Sequence, residues 1–180
     1  MNTIEIPLSK SKILLVIAGS MLFVAGGVYL YTTLSNQQTD FNPILIKGIG
    51  LSGILFFGAT GLYGIKKLFD KTVGFTINDE GIIDNSNATS IGLIRWSDIT
   101  KIETKQIMST RFLLIFVKEP ELYLDKVSGM KRKLMQSNMS MYGTPLSIVS
   151  TTLKYDFDQL EALVKERFDV YKKSLLSRMI

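Results

Sequence analysis

The sequence predicts an α+β chain in which a hairpin of two membrane-crossing helices precedes a small β-barrel or curled sheet closed by a C-terminal helix. Three observations lead there. Two long apolar runs lie within the first 71 residues, at least six short strand-like segments follow, and an amphipathic helical pattern ends the chain. The expected division is a two-span hairpin with a short N-terminal tail over residues 1–71 and a soluble domain over residues 72–180.

The first run, residues 13–31, carries no charge over 19 residues. As a helix it rises roughly 28 Å, close to the ~30 Å hydrocarbon thickness of a bilayer. The second, residues 44–65, is broken only by Lys47 near its start, where a long side chain can reach the headgroups. Tyr29, Tyr31 and Tyr63 fall near run ends, as interfacial aromatics do. The first run is too long for the apolar core of a cleaved signal peptide, and Thr32-Thr33-Leu34-Ser35 offers no A-x-A cleavage pattern. Lys10 and Lys12 precede the first run and Lys66, Lys67 and Lys71 follow the second, whereas the loop over residues 32–43 has no Lys or Arg and carries Asp40. Positive charge stays on the cytoplasmic side. The expectation is a multi-pass protein of a bacterial inner (cytoplasmic) membrane, with both termini and the large domain cytoplasmic.

Small residues mark where the two helices could touch. Gly50, Gly53, Gly61 and Gly64 of the second run fall within about 80° of one another at 100° per residue. Ala18, Gly19, Ala25 and Gly26 form a comparable stripe in the first. Such faces let helix backbones approach closely in lipid. They would serve either the hairpin itself or a homo-oligomer or membrane partner.

Composition limits the chemistry. Net charge is +5, but residues 72–180 hold 15 Lys and Arg against 13 Asp and Glu, too even a balance for a nucleic-acid footprint. Cysteine and histidine are both absent. That excludes disulfides, thiol nucleophiles, Cys/His zinc sites and Ser-His-Asp triads, and removes the usual general base near neutral pH. No cofactor is implied. The expectation is a non-enzymatic protein.

From residue 73 the pattern changes to short strands with turn punctuation. Residues 73–78 read as a strand, Asp79-Glu80-Gly81 as a turn whose glycine takes positive φ, and residues 82–84 as a second strand. Residues 85–90 are a polar loop and 91–96 a third strand, ending in a Ser97-Asp98-Ile99 turn. Residues 101–107 and 111–118 follow, with the almost wholly apolar 112–117 suggesting a strand buried on both faces. Residues 121–137 fit a helix with Tyr123, Val127, Met130 and Leu134 on its apolar face, though Gly129 weakens it. A last strand is expected at 146–150. Asp156 and Gln159 form a capping-box variant before a closing helix whose buried stripe is Phe157, Leu160, Val164, Phe168 and Tyr171.

Several segments resemble bacterial PH-like domains. Gly81-Ile82, the turn in Ile94-Arg95-Trp96-Ser97-Asp98-Ile99 and the closing helix occur here in the same order. The whole chain is also similar to a family of bacterial two-span membrane proteins, through Ile6-Pro7-Leu8-Ser9-Lys10, Phe56-Phe57-Gly58, Asp84-Asn85-Ser86 and Tyr142-Gly143-Thr144-Pro145. The resemblance implies a PH-like barrel but carries no activity, because PH-like folds bind phosphoinositides, peptides or each other.

Three sets of residues are candidate sites. Asp84, Asn85 and Ser86 could form an interaction loop, although these are ordinary turn formers. Trp96 could stack on a ligand, but alternates with Ile94 as a core residue would. Lys126, Lys131, Arg132 and Lys133 surround a methionine-containing stripe in the 121–137 helix, and a basic amphipathic helix can lie on anionic lipid. Its alternative is a solvated face packed on the barrel. The leading expectation is a membrane-anchored module for protein partners or self-assembly. Peripheral anionic-lipid binding comes second, and an accessory subunit of a membrane enzyme or transporter third.

Overall fold

The computed structural model describes residues 2–37 and 41–179; Asp40 of the connecting loop lies outside them. The chain is α+β, with two long apolar helices followed by antiparallel sheets and a C-terminal helix. It forms two compact units, Ser9–Lys71 and a second made of Met1–Leu8 together with Thr72–Ile180.

In the first unit α1 (Lys10–Thr32) begins at Ser9, whose hydroxyl accepts from the Lys12 N–H, and α2 (Pro43–Leu68) begins at Asn42, whose side chain accepts from the Ile44 N–H at 2.9 Å. Both are preferred caps, and Pro43 stands at a first helical position where its missing N–H is not needed. A 3-10 turn at Leu34–Asn36 follows α1. Lys66 and Lys67 lie in the last turn of α2, where cations complement the helix dipole. Both helices are long and apolar enough to cross a membrane, with mean hydropathy 2.3 and 1.6.

The second unit holds two antiparallel sheets. One orders its strands β1-β2-β3-β4, formed by Ile4–Ile6, Phe75–Ile77, Gly81–Asp84 and Gly92–Arg95. The other runs β5-β6-β7, formed by Ile99–Ile107, Thr110–Val117 and Leu146–Ile148. Helices α3 (Pro120–Leu124) and α4 (Gly129–Tyr142) connect β6 to β7, and α5 (Phe157–Met179) closes the chain. The core gathers Phe75, Ile77, Ile82 and Ile94 from one sheet, Trp96 from the turn after β4, Leu113, Ile115 and Ile148 from the other sheet, and Leu160 and Val164 from α5. The anticipated α5 stripe is buried through Phe168, with Tyr171 half-buried, and Gln159 N–H donates to Asp156 at 2.9 Å.

Four expectations need correction. First, the tail assigned to the hairpin segment supplies β1, whose Ile4 and Ile6 pair with Ile77 and Phe75. Three residues ended by Pro7 are too short for a periodicity to show. Second, Gly81 is not a positive-φ glycine. A Cβ there would stand 2.1 Å from the Ile94 carbonyl oxygen, so the close approach of β4 requires glycine. Third, the 121–137 helix is two helices, interrupted over residues 125–128, with Gly129 at φ +61°. Fourth, the inward residue of α4 is Met135, fully buried, while Met130 and Leu134 are exposed. The apolar periodicity through Met130 and Leu134 is real but marks the outer face.

Candidate functional site

Within the hairpin the buried positions of α1 are Ile13, Ile17, Ser20 and Gly27, recurring at the four- and three-residue steps of a packed helix seam. A Cβ on Gly27 would meet the Gly50 carbonyl at 2.9 Å, and one on Gly50 would meet the Gly27 carbonyl at 2.7 Å. A Cβ on Gly64 would meet Ile17 at 2.8 Å, and one on Gly61 would come within 3.4 Å of the Ser20 side chain. Three of the four anticipated α2 glycines therefore face α1, whereas a Cβ on Gly53 meets nothing within 4 Å. The α1 stripe is misplaced by about one residue. Gly19 and Gly26 are open, and Gly27 makes the close approach. Phe23 stacks on Phe57 with ring centres 4.2 Å apart.

The hairpin buries little of itself. Only 22% of the first span and 11% of the second are buried, and Leu15, Leu22, Ile44, Phe56 and Leu62 are each two-thirds or more exposed. Leaving a large apolar side chain in water costs roughly 1.5–3 kcal/mol relative to burial.

The Asp84–Ser86 loop turns inward. One Asp84 carboxylate oxygen accepts from the Ser86 N–H at 2.9 Å and hydroxyl at 2.6 Å, and the other from the Ser90 hydroxyl at 2.6 Å. Asp84 and Ser86 are buried. Asn85 N–H donates to the Gly74 carbonyl and its amide to that of Val73. These groups hold the loop against the domain. Trp96 is likewise core. Its indole N–H donates to the Asn78 carbonyl at 2.9 Å and its ring lies 6.1 Å from that of Phe168.

A polar brace that sequence reasoning missed ties the β4–β5 turn to α3. Tyr123 donates its hydroxyl to Asp98 at 2.8 Å and Ser97 donates to the same carboxylate at 2.9 Å. Burial alone would raise the Asp98 carboxyl. The bonds from Tyr123 and Ser97, with the charges of Arg95 and Lys126, outweigh it and hold the group below the usual 3.8. Burial first, then the bond to Asp98, pushes the Tyr123 phenol well above its usual range.

The four basic candidates separate. Arg132 donates to the Leu124 carbonyl at 2.9 Å and to Asp125 at 3.0 Å, closing the break between α3 and α4. Lys126 sits in that break with its ammonium 4.5 Å from the Tyr123 ring centre. Lys131 and Lys133 lie on α4 and make no ion pair or side-chain hydrogen bond among the described residues. No acid stands with them on α4. Among the described residues no three acids gather in a way that could hold a metal ion.

No family model, curated protein or solved structure matches this chain. Several segments singled out in the sequence have structural duties here. Ile6 pairs in β1, Leu8 bridges Leu153, and Ser9 caps α1. Phe57 joins the helix seam, while Gly143 ends α4 at φ +77° and Thr144 donates to the Ile115 carbonyl.

Proposed function

We propose that the chain is a non-enzymatic, membrane-anchored interaction module. A two-span hairpin sits in a bacterial cytoplasmic membrane with both ends inside, and a PH-like domain is presented there to protein partners or to a second copy. The exposed apolar surface of the hairpin carries this reading. Helices so apolar and so little buried are stable in hydrocarbon and costly in water. The lysines at the outer ends of both helices and their absence from residues 32–43 support the orientation. Four- and three-stranded antiparallel sheets closed by a C-terminal helix support the PH-like barrel. The lack of His and Cys and the inward, mutually satisfied polar groups favour binding over catalysis.

The test is solubilisation of the tagged full-length chain from its native membrane in mild detergent, followed by size-exclusion chromatography with light scattering. A partner in fixed ratio, or a second copy, is the expected result. A chain recovered only as a monomer would overturn the interaction role.

A further inference from the structure

Helix α4 presents an apolar stripe to solvent, and no element among the described residues of its domain covers it. Met130 is 72% exposed, Leu134 40% and Met141 56%. At 100° per residue the three fall within about 40° of one another, interrupted only by Ser137. Lys131 and Lys133 lie about 80° to either side of the stripe's centre. The helix has no acid anywhere along its 14 residues. One flank of the helix is fixed to the domain: Met135 is fully buried, Asn138 donates to Ser147 at 3.1 Å, and Tyr142 stacks on Phe112. At that end Lys105 brings a further ammonium, 5.1 Å from the Tyr142 ring centre.

We propose that α4 lies in the plane of the membrane surface, with Met130, Leu134 and Met141 dipping between headgroups and Lys131 and Lys133 paired with anionic lipid phosphates. The arrangement suits that occupant. An interfacial helix needs an apolar stripe with cations along both margins, long enough to keep their charge in the headgroup layer while their stems cover the apolar edge. A protein partner would need acids on both margins, whereas an anionic leaflet supplies them everywhere. The stripe is small, so it binds weakly by itself. The hairpin holds it near the surface and makes weak binding sufficient.

This inference rests on the membrane-anchored reading, and its test separates the two. The full chain has no cysteine, so Leu134→Cys and Gln136→Cys each give a single site for an environment-sensitive nitrobenzoxadiazole label. Leu134 lies on the stripe and the exposed Gln136 away from it. The chain is reconstituted in vesicles of phosphatidylcholine alone or of phosphatidylcholine mixed with phosphatidylglycerol. Flotation that survives carbonate in neutral vesicles checks the hairpin; its loss would defeat the anchor. The α4 inference predicts a blue-shifted, brighter signal at position 134 in anionic vesicles only, reduced by high salt, with position 136 unchanged. Neutralising Lys131→Gln and Lys133→Gln together should lower the lipid-bound fraction, as a bound-to-free ratio, roughly thirtyfold. A melting profile like that of the parent chain checks that this variant is folded. Equal signals at 134 and 136, or a shift at 134 that is the same in neutral lipid and grows with protein density, would overturn the inference; the latter would assign the stripe to a second copy.

Discussion

The Asp98 carboxylate shows how a few polar groups organise this domain. It receives hydroxyls from Tyr123 and Ser97 and so couples the β4–β5 turn to α3. Its folded-state pKa is lowered, so its stabilisation is complete above the unfolded value of 3.8 and is lost as pH falls through the folded value. Tyr123→Phe should therefore cost about 1–2 kcal/mol at neutral pH, and the difference from the parent should shrink on acidification below about pH 4. Thermal melts of both chains across that range check it; a constant difference would show that the bond is not to the carboxylate. Asp98 was legible in the sequence as a turn residue. Tyr123, 25 positions away, was legible only as apolar stripe, because a phenol's hydrogen-bond partner leaves no periodic trace.

Among elements, the hairpin was the most readable and α4 the least. Long apolar runs, the second broken only by Lys47, mark α1 and α2, but they do not fix helical phase. A stripe through Gly19 and Gly26 and one through Ser20 and Gly27 differ by a single residue, and only the second meets α2. For α4 the sequence pattern was correct and its direction inverted. Periodicity finds an apolar face but cannot say whether protein covers it, and here Met135, alone on its side, is the buried one. The glycine seam makes a sharp contrast available. Gly50→Val pushes a side chain into the Gly27 backbone, whereas Gly53→Val points into open space. The first should destabilise the hairpin by roughly 1–3 kcal/mol and lower its melting temperature in detergent, with the second near the parent. Equal effects would mean that α1 and α2 do not pack through Gly50.

At the level of the whole molecule, the chain is interleaved rather than sequential. The hairpin is an insertion between two hydrogen-bonded neighbours: α1 follows β1 after residues 7–9, and α2 leads to β2 through residues 69–74. Beginning the soluble part at residue 72 would remove β1 and leave the outer edge of β2 unpaired, an invitation to non-native pairing. Nothing local in Ile4-Glu5-Ile6 announces this, since the partner strand is 71 residues further along; the register Ile6↔Phe75 is a tertiary fact. The insertion also constrains topology. For the proposed membrane hairpin, the β1–β2 pairing requires the chain to return to the side from which it left, the arrangement that the positive-inside reading of the lysines also proposes.

The most direct measurement is cysteine accessibility in spheroplasts, using Asn2→Cys, Gln37→Cys and Ser109→Cys singly in the cysteine-free chain with a membrane-impermeant maleimide. Position 37 should label in intact spheroplasts, and positions 2 and 109 only after lysis. Labelling of 2 and 109 from opposite sides, or of 109 from outside, would contradict a two-span hairpin inserted into a cytoplasmic domain.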